Sequence, residues 1–293
     1  MHKSEKLAFI GLGVMGYPMA GHLQNKGYSV TVFNRTQTKA TRWVTEYGGT
    51  LAETPAEASK GADIVFVCVG NEDDVRSVVY GESGALSALS LGTILVDHTT
   101  TSATLALEVA EACQKIGAGF IDAPVSGGQA GAENAALTIM CGASPEKYEA
   151  VLPVLGVYAK KMTYMGTVGQ GQRCKMVNQL CIAGVLQGLS EGLLLTEKCG
   201  LDIAQLAETL QHGAAGSWQM SNRAETMTAN KFDFGFAIDW MRKDLDIALE
   251  EAERLGLKLP LANQVNEAYE RLRQQGHGRS DTSALILDMR TGD

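Results

Sequence analysis

Along the first half of the chain, short runs of β-branched and aromatic residues alternate with stretches whose apolar positions recur every three to four residues. Leu7–Ile10, Ser29–Phe33, Ile64–Val69, Thr93–Val96 and Gly119–Ile121 read as strands. The segments between them, Tyr17–Lys26, Thr38–Tyr47, Asn71–Val79 and Ser102–Ile116, read as helices. Strict alternation of strand and helix predicts a parallel sheet covered on both faces, an α/β architecture. A strand at Leu137–Cys141 and a helix at Pro145–Leu155 close this unit.

From about Gly171 the strand signal disappears. Helical patterns cover Gln172–Cys199, Asp202–His212, Met220–Met227, Ala237–Leu255 and Leu261–Gln274, with an irregular stretch at Gly213–Ser217. Two domains are therefore expected, a sheet domain over 1–165 and an all-helical domain over 166–293, joined near Gly166–Gly171, where three glycines in six residues supply the φ values of a sharp junction. The helix at about 172–199 is apolar all round for about four turns, which predicts that protein surrounds it, and Gly200 supplies its stop. So little polar surface on one long helix also predicts a subunit partner, in a homodimer or homotetramer.

Composition narrows the function. A chain of 293 residues, 45% hydrophobic and 20% charged, has the makeup of an ordinary globular protein with real cores. A formal net charge of −8 argues against nucleic acid or an anionic membrane as partner. The six cysteines, Cys68, Cys113, Cys141, Cys174, Cys181 and Cys199, are scattered without a C-x-x-C, which predicts buried thiols in a reducing compartment, with no metal site. The apolar run Leu7–Val14 is too short for a signal peptide or membrane span, so a cytoplasmic protein is expected.

Gly11-Leu12-Gly13-Val14-Met15-Gly16 follows the first strand and opens the first helix, the context in which G-x-G-x-x-G binds a dinucleotide. The first glycine permits the tight turn, the second lets the backbone approach a pyrophosphate, and the third allows close strand–helix packing. Helix N–H groups then face the phosphates. At the end of the second strand, where NAD enzymes usually carry an acid for the ribose hydroxyls, the chain reads Asn34-Arg35-Thr36. A guanidinium flanked by an amide and a hydroxyl suits a 2′-phosphate, so NADP(H) is favoured, with NAD(H) the alternative.

Further along, Lys175 and Asn178 lie i,i+3 on one face of the apolar helix that follows Gly166–Gly171. A lysine in so apolar a run is desolvated, which lowers its pKa and fits it to exchange protons near neutrality. Ser126-Gly127-Gly128, after a strand and a proline, offers amides and a hydroxyl for a substrate carboxylate.

Taken in order, Gly11–Gly16, Asp97-His98-Thr99-Thr100, Asp122 to Gly128, Gly166 to Asn178 and Lys243-Asp244 resemble the β-hydroxyacid dehydrogenases, over nearly the whole chain. That family includes 3-hydroxyisobutyrate dehydrogenase, tartronate semialdehyde reductase and the glyoxylate/succinic semialdehyde reductases. Asn34-Arg35-Thr36 is most similar to the NADPH-using semialdehyde reductase branch. The resemblance implies a Rossmann-type doubly wound sheet followed by a helical substrate-binding domain, Lys175 as general acid/base, and Asn178 either holding the reacting oxygen or orienting the lysine. It implies cofactor contacts at Thr100, Lys243 and the Val69-Gly70-Asn71 loop, the last departing from the family's usual Leu-Pro. On pattern alone Lys243 is equally an i−4 salt bridge to Asp239. Trp218 and Phe236 are candidate pocket walls. His98 and His212 read as structural, since neither has an acidic or hydroxyl partner at a catalytic spacing. Ala135 stands where the family often has glycine.

The reaction so implied is hydride transfer between NADP(H) and a small carboxylate-bearing aldehyde or hydroxyacid. Glyoxylate and succinic semialdehyde lead; tartronate semialdehyde and 3-hydroxyisobutyrate follow. An NAD-dependent 3-hydroxyisobutyrate or serine-type dehydrogenase is the second reading, and a non-catalytic NADP-binding module the third. A 6-phosphogluconate dehydrogenase is disfavoured by the short chain and the lack of a histidine between Lys175 and Asn178.

Overall fold

The computed structural model describes residues 5–290. They divide into two compact units, with the boundary between Lys175 and Met176. In the first unit, β1 (Lys6–Ile10), α1 (Gly16–Asn25), β2 (Ser29–Phe33), α2 (Gln37–Tyr47), β3 (Thr50–Leu51), α3 (Pro55–Ser59) and β4 (Ile64–Val67) come first. They are followed by α4 (Glu72–Val79), β5 (Ile94–Asp97), α5 (Ala103–Lys115), β6 (Gly119–Asp122), β7 (Val125–Ser126), α6 (Gly128–Glu133), β8 (Leu137–Gly142), α7 (Pro145–Leu155) and β9 (Ala159–Gly166).

Strand order is β3-β2-β1-β4-β5-β6-β8-β7, with β9 on the other side of β8. From β3 through β6 every pairing is parallel, and the order reverses between β1 and β4, the switch point of a doubly wound sheet. Successive residues of each strand feed different cores. Leu7 and Phe9 of β1 and Ile64 and Phe66 of β4 pack on one face; Ala8, Ile10, Val65 and Val67 pack on the other. A strand can be apolar throughout only if helices cover both sides of the sheet, and here they do.

The sheet is not wholly parallel. β8 runs antiparallel to β6 and to β7, and β9 returns parallel to β8. Alternation of element types predicts crossovers but not the hairpin-like return after β6, where β7 and α6 are too short to carry a periodic signal. β9 was not expected at all: its sequence, Ala-Lys-Lys-Met-Thr-Tyr-Met-Gly, is half-exposed and lacks an apolar run.

The long α8 (Gln170–Cys199) begins in the first unit and continues into the second. There it is joined by α9 (Ile203–Leu210), α10 (Trp218–Thr228), α11 (Ile238–Arg254), α12 (Pro260–Leu272) and α13 (Leu285–Arg290). Ala183, Leu186, Leu189 and Leu193 of α8 pack with Met220, Ile238, Met241, Leu245, Tyr269 and Leu285 in one core. The expectation that protein encloses the whole helix does not hold within one chain: Val177, Val185 and Leu195 are exposed. By length and hydropathy alone α8 would pass for a membrane span, yet its buried side is the main wall of this helical core.

Candidate functional site

β1 delivers the chain into Gly11–Met15 and then α1. Gly11 has φ +98°, and a Cβ there would strike the carbonyl of Cys68 after β4. A Cβ on Gly16 would strike the carbonyl of Gly11, whereas Gly13 faces open space. Closeness at the first and third glycines and room at the second are the conditions for seating a diphosphate at the positive end of α1. Leu12 is buried, Val14 exposed and Met15 half-buried. The loop is held from outside: Gly11 N–H donates to Phe33 O at 2.9 Å and Leu12 N–H to Asn34 Oδ1 at 2.8 Å.

Asn34 is thus committed to the backbone, its Nδ2 also donating to Thr36 O at 3.0 Å. Thr36 flanks the start of α2 in extended conformation. Arg35 projects from the end of β2, 85% exposed along its side chain, and pairs with Asp74 of α4 at 2.8 Å. Beside it opens a cleft of about 490 Å³ lined by Phe33, Arg35, Pro55, Val78 and Tyr80 among others. Of these only Arg35 is marked by its sequence context, because it is the sheet order that puts the end of β2 beside α4.

The loops after β4 and β5 are tied together. Val69 N–H donates to Thr99 Oγ1 at 3.1 Å, and Asp97 Oδ1 accepts from Thr99 N–H at 2.8 Å. Asn71 caps α4, its Oδ1 accepting from Asp74 N–H at 2.8 Å. Thr100 follows, half-buried. His98 does have a hydroxyl partner, contrary to expectation. Its Nδ1 faces Ala123 O at 2.6 Å and its Nε2 faces the Tyr158 hydroxyl at 2.8 Å. A carbonyl only accepts, so Nδ1 carries the proton and Tyr158 donates to Nε2. Burial lowers the His98 pKa to about 4, so the ring is neutral. Its role is structural, stacked on Phe66.

β6 ends at Asp122, fully buried and in register with Asp97 of β5. Its Oδ1 accepts from Gly169 N–H at 2.7 Å and its Oδ2 from Gln172 N–H at 2.9 Å, both at the start of α8. Burial raises its pKa to about 7 against the pull of these bonds, with the nearby Asp97 charge adding to the rise. The Gln172 side chain reaches the other way, Nε2 donating to Thr99 O at 2.8 Å and Oε1 accepting from Thr101 N–H at 3.1 Å. One turn further along α8 is Lys175, only 7% exposed. Downstream of β6, Ser126 ends β7, and Gly127 and Gly128 take φ +134° and +62° at the start of α6, both exposed.

Four candidates belong to the second unit. Asn178 Nδ2 donates to Gln179 Oε1 at 2.7 Å, and Gln179 Nε2 donates to Asp244 Oδ2 at 2.6 Å. Asp244 Oδ1 in turn lies 3.1 Å from Lys243 Nζ, so this acid, not Asp239, is the ion-pair partner of Lys243. Trp218 opens α10, 60% exposed, with the Arg223 guanidinium 4.8 Å from its ring centre. Phe236 packs against the helical core.

Among the cysteines, Cys113 and Cys141 are buried and Cys68 and Cys174 half-buried, but Cys181 and Cys199 are exposed on the uncovered side of α8. Burial raises the Cys174 thiol pKa more than Lys175 lowers it, so Cys174 is not an activated thiol. No group of three or more potential metal ligands occurs among the described residues.

Comparison with known proteins shows the family of the chain. Residues 6–166 match the NAD-binding domain of 6-phosphogluconate dehydrogenase, and residues 169–288 match the NAD-binding domain of NADP-dependent 3-hydroxyisobutyrate dehydrogenase. A probable mitochondrial 3-hydroxyisobutyrate dehydrogenase-like protein of Arabidopsis thaliana is 41% identical over 96% of this chain and 84% of its own. The chain belongs to the β-hydroxyacid dehydrogenase family. Another relative, the 2-hydroxy-3-oxopropionate reductase of Escherichia coli, is 34% identical over 96% of each chain. Mycobacterium tuberculosis 3-hydroxyisobutyrate dehydrogenase, solved with L-serine, superposes with a TM-score of 0.89 at 29% identity, covering 99% of this chain and 100% of that one. As a β-hydroxyacid dehydrogenase the chain is an NAD(P)-dependent oxidoreductase acting on hydroxyacids, built from a Rossmann-like domain and a helical one.

Proposed function

We propose that this chain reduces small carboxylate-bearing aldehydes of the glyoxylate, succinic semialdehyde and 2-hydroxy-3-oxopropionate type with NADPH, Lys175 supplying the proton. The observation that carries this reading is a buried lysine in the second turn of a helix whose first turn is hydrogen-bonded to the loop bearing Thr100. Burial keeps the Lys175 side chain out of bulk water, one turn past the residues tied to the loop bearing Thr100. When bound, the nicotinamide supplies the hydride. Lys175 Nζ–H then donates to the carbonyl oxygen as that oxygen gains charge, and in the oxidation direction the neutral amine removes the hydroxyl proton. Asn178 holds the same oxygen, the Ser126–Gly128 amides hold the substrate carboxylate, and Trp218 walls the substrate pocket.

On the cofactor side, Gly11–Gly16 seats the diphosphate and Arg35 meets the 2′-phosphate at the mouth of the cleft lined by Phe33 and Tyr80. Val69, Asn71, Thr100 and Lys243 serve the nicotinamide end. Asp74 favours a second reading in which NAD(H) binds, because the same carboxylate that pairs with Arg35 would accept from ribose hydroxyls. The exposed apolar positions Val177, Val185 and Leu195 support a homodimer or homotetramer, and six free cysteines support a cytoplasmic setting.

Steady-state rates with NADPH and NADH against glyoxylate, succinic semialdehyde, 2-hydroxy-3-oxopropionate and methylmalonate semialdehyde test this directly. NADPH-dependent turnover that is lost in Lys175→Ala is expected. Equal turnover in the variant would remove Lys175 from the chemistry, and a preference for NADH would favour the second reading.

A further inference from the structure

Asp122 is a carboxylate in a place that resists one. It is fully buried, its strand neighbour in register is Asp97, and burial alone would favour the neutral acid. What it receives in return are two backbone amides, Gly169 N–H and Gln172 N–H, at the positive end of a 30-residue helix. The surroundings are cut to fit it. A Cβ on Gly142 of β8 would overlap both carboxylate oxygens, and a Cβ on Gly171 would overlap Oδ2 together with the carbonyls of Met140 and Asp122. Glycine at both positions lets β8 and α8 close on the carboxylate from two sides. With every oxygen engaged and no exposed surface, Asp122 cannot touch substrate or cofactor.

We infer that Asp122 is a positioning residue for the reaction: by accepting the Gly169 and Gln172 amides it fixes where α8 begins, and so where Lys175, three residues after Gln172, presents its amine. The inference rests on the reading of Lys175 as the proton donor. Gln172 completes the device. Its backbone is held by Asp122 while its side chain is held by Thr99 and Thr101, so the start of α8 and the loop bearing Thr100 move as one piece. Misplacement of a reacting group by about 1 Å costs on the order of 100-fold in rate, so a modest loosening of this joint is enough to matter.

The test is Asp122→Asn, which keeps the shape but turns an N–H donor toward one of the two amides. Rates are taken per NADPH-binding site, with the NADPH dissociation constant and the solvent isotope effect on kcat measured beside them. Expected is a fall in kcat of about 10- to 100-fold with NADPH affinity held within about twofold, and a larger solvent isotope effect as proton transfer becomes limiting. A protein that is merely less well folded has fewer sites but the same rate and isotope effect per site, and that result would overturn the inference. If Asp122→Asn does not accumulate as folded protein, Gln172→Met serves instead, since it keeps the amide that Asp122 accepts and releases only the side-chain tie. It should show the same signature in weaker form; a wild-type rate and isotope effect per site would again overturn it. Lys175→Ala run alongside separates the two claims: if it turns over normally the proton-donor reading fails, whatever Asp122→Asn does.

Discussion

Asn34 holds Leu12: the side-chain oxygen of the residue after β2 accepts the backbone amide of the residue after Gly11 at 2.8 Å. The tip of one strand thereby sets the shape of the loop at the tip of the next. Asn34→Ala should leave Leu12 N–H without its partner and weaken NADPH and NADH binding alike, by about 1 to 2 kcal/mol, or roughly 5- to 30-fold in dissociation constant. Fluorescence titration of both cofactors checks this. Equal affinity in the variant would show that the loop keeps its shape unaided.

Arg35 should behave in the opposite manner, separating the two cofactors. Arg35→Ala removes a charge-assisted contact of about 1.5 to 3 kcal/mol, so NADPH should bind roughly 10- to 100-fold more weakly while NADH changes little. Asp74→Ala frees the guanidinium from its ion pair and should tighten NADPH binding. A parallel loss of both cofactors in Arg35→Ala would mean that the guanidinium does not read the 2′-phosphate.

Ala135 adopts φ +51°, the left-handed region that suits glycine. It follows Asn134 at the end of α6, where the chain must turn back into β8. The methyl therefore costs local strain, and the turn does not require it. Ala135→Gly should raise the unfolding free energy by about 1 kcal/mol, seen as a rise of roughly 2 to 4 °C in the thermal midpoint. An unchanged or lower midpoint would mean that the added freedom of glycine in the unfolded chain outweighs the relief.

His98 makes the fold acid-sensitive. Its pKa is about 4 in the folded protein against an ordinary 6.5, so at pH 7 it is neutral in both states and its contribution is intact. As pH falls below about 6.5 the unfolded chain takes up a proton that the folded chain refuses, and stability drains away until the folded pKa is reached. The full loss is on the order of 3 kcal/mol. His98→Gln has no such titration, so its stability deficit relative to wild type should shrink between pH 7 and pH 5. A constant deficit in urea unfolding across that range would contradict this.

How much of this was legible in the sequence depended on the range of the interaction. The helix at Pro145–Leu155 is where the pattern puts it, and the βαβ alternation gives the parallel β1–β6 core with strand ends displaced by only a residue or two. Local periodicity reports which face of an element is buried, and that was enough. It carries no information about the direction of a neighbour, so β8 is legible as a strand but not as an antiparallel one. Nor does it register a strand such as β9, whose exposed Lys160 and Lys161 break any apolar run.

The same limit governs the site. Lys175, Asn178 and the glycine loop declare themselves through sequence spacing. The pairings that hold the site do not: Asp122 with Gly169 spans 47 positions, Thr101 with Gln172 spans 71, and His98 with Tyr158 spans 60. Asp122 stands in the same motif as Ser126–Gly128, but the amides it accepts lie 47 and 50 positions away, so nothing local marks it.

The glycines at 142 and 171 depend differently on the carboxylate between them. An alanine at 142 would strike the Asp122 carboxylate, while the carbonyl of Met140 forbids one at 171 whatever stands at 122. Loss of Asp122 would strand two buried amides at the head of α8. Removal of the carboxylate therefore does not free position 171, and it leaves the head of α8 to find new acceptors for its amides.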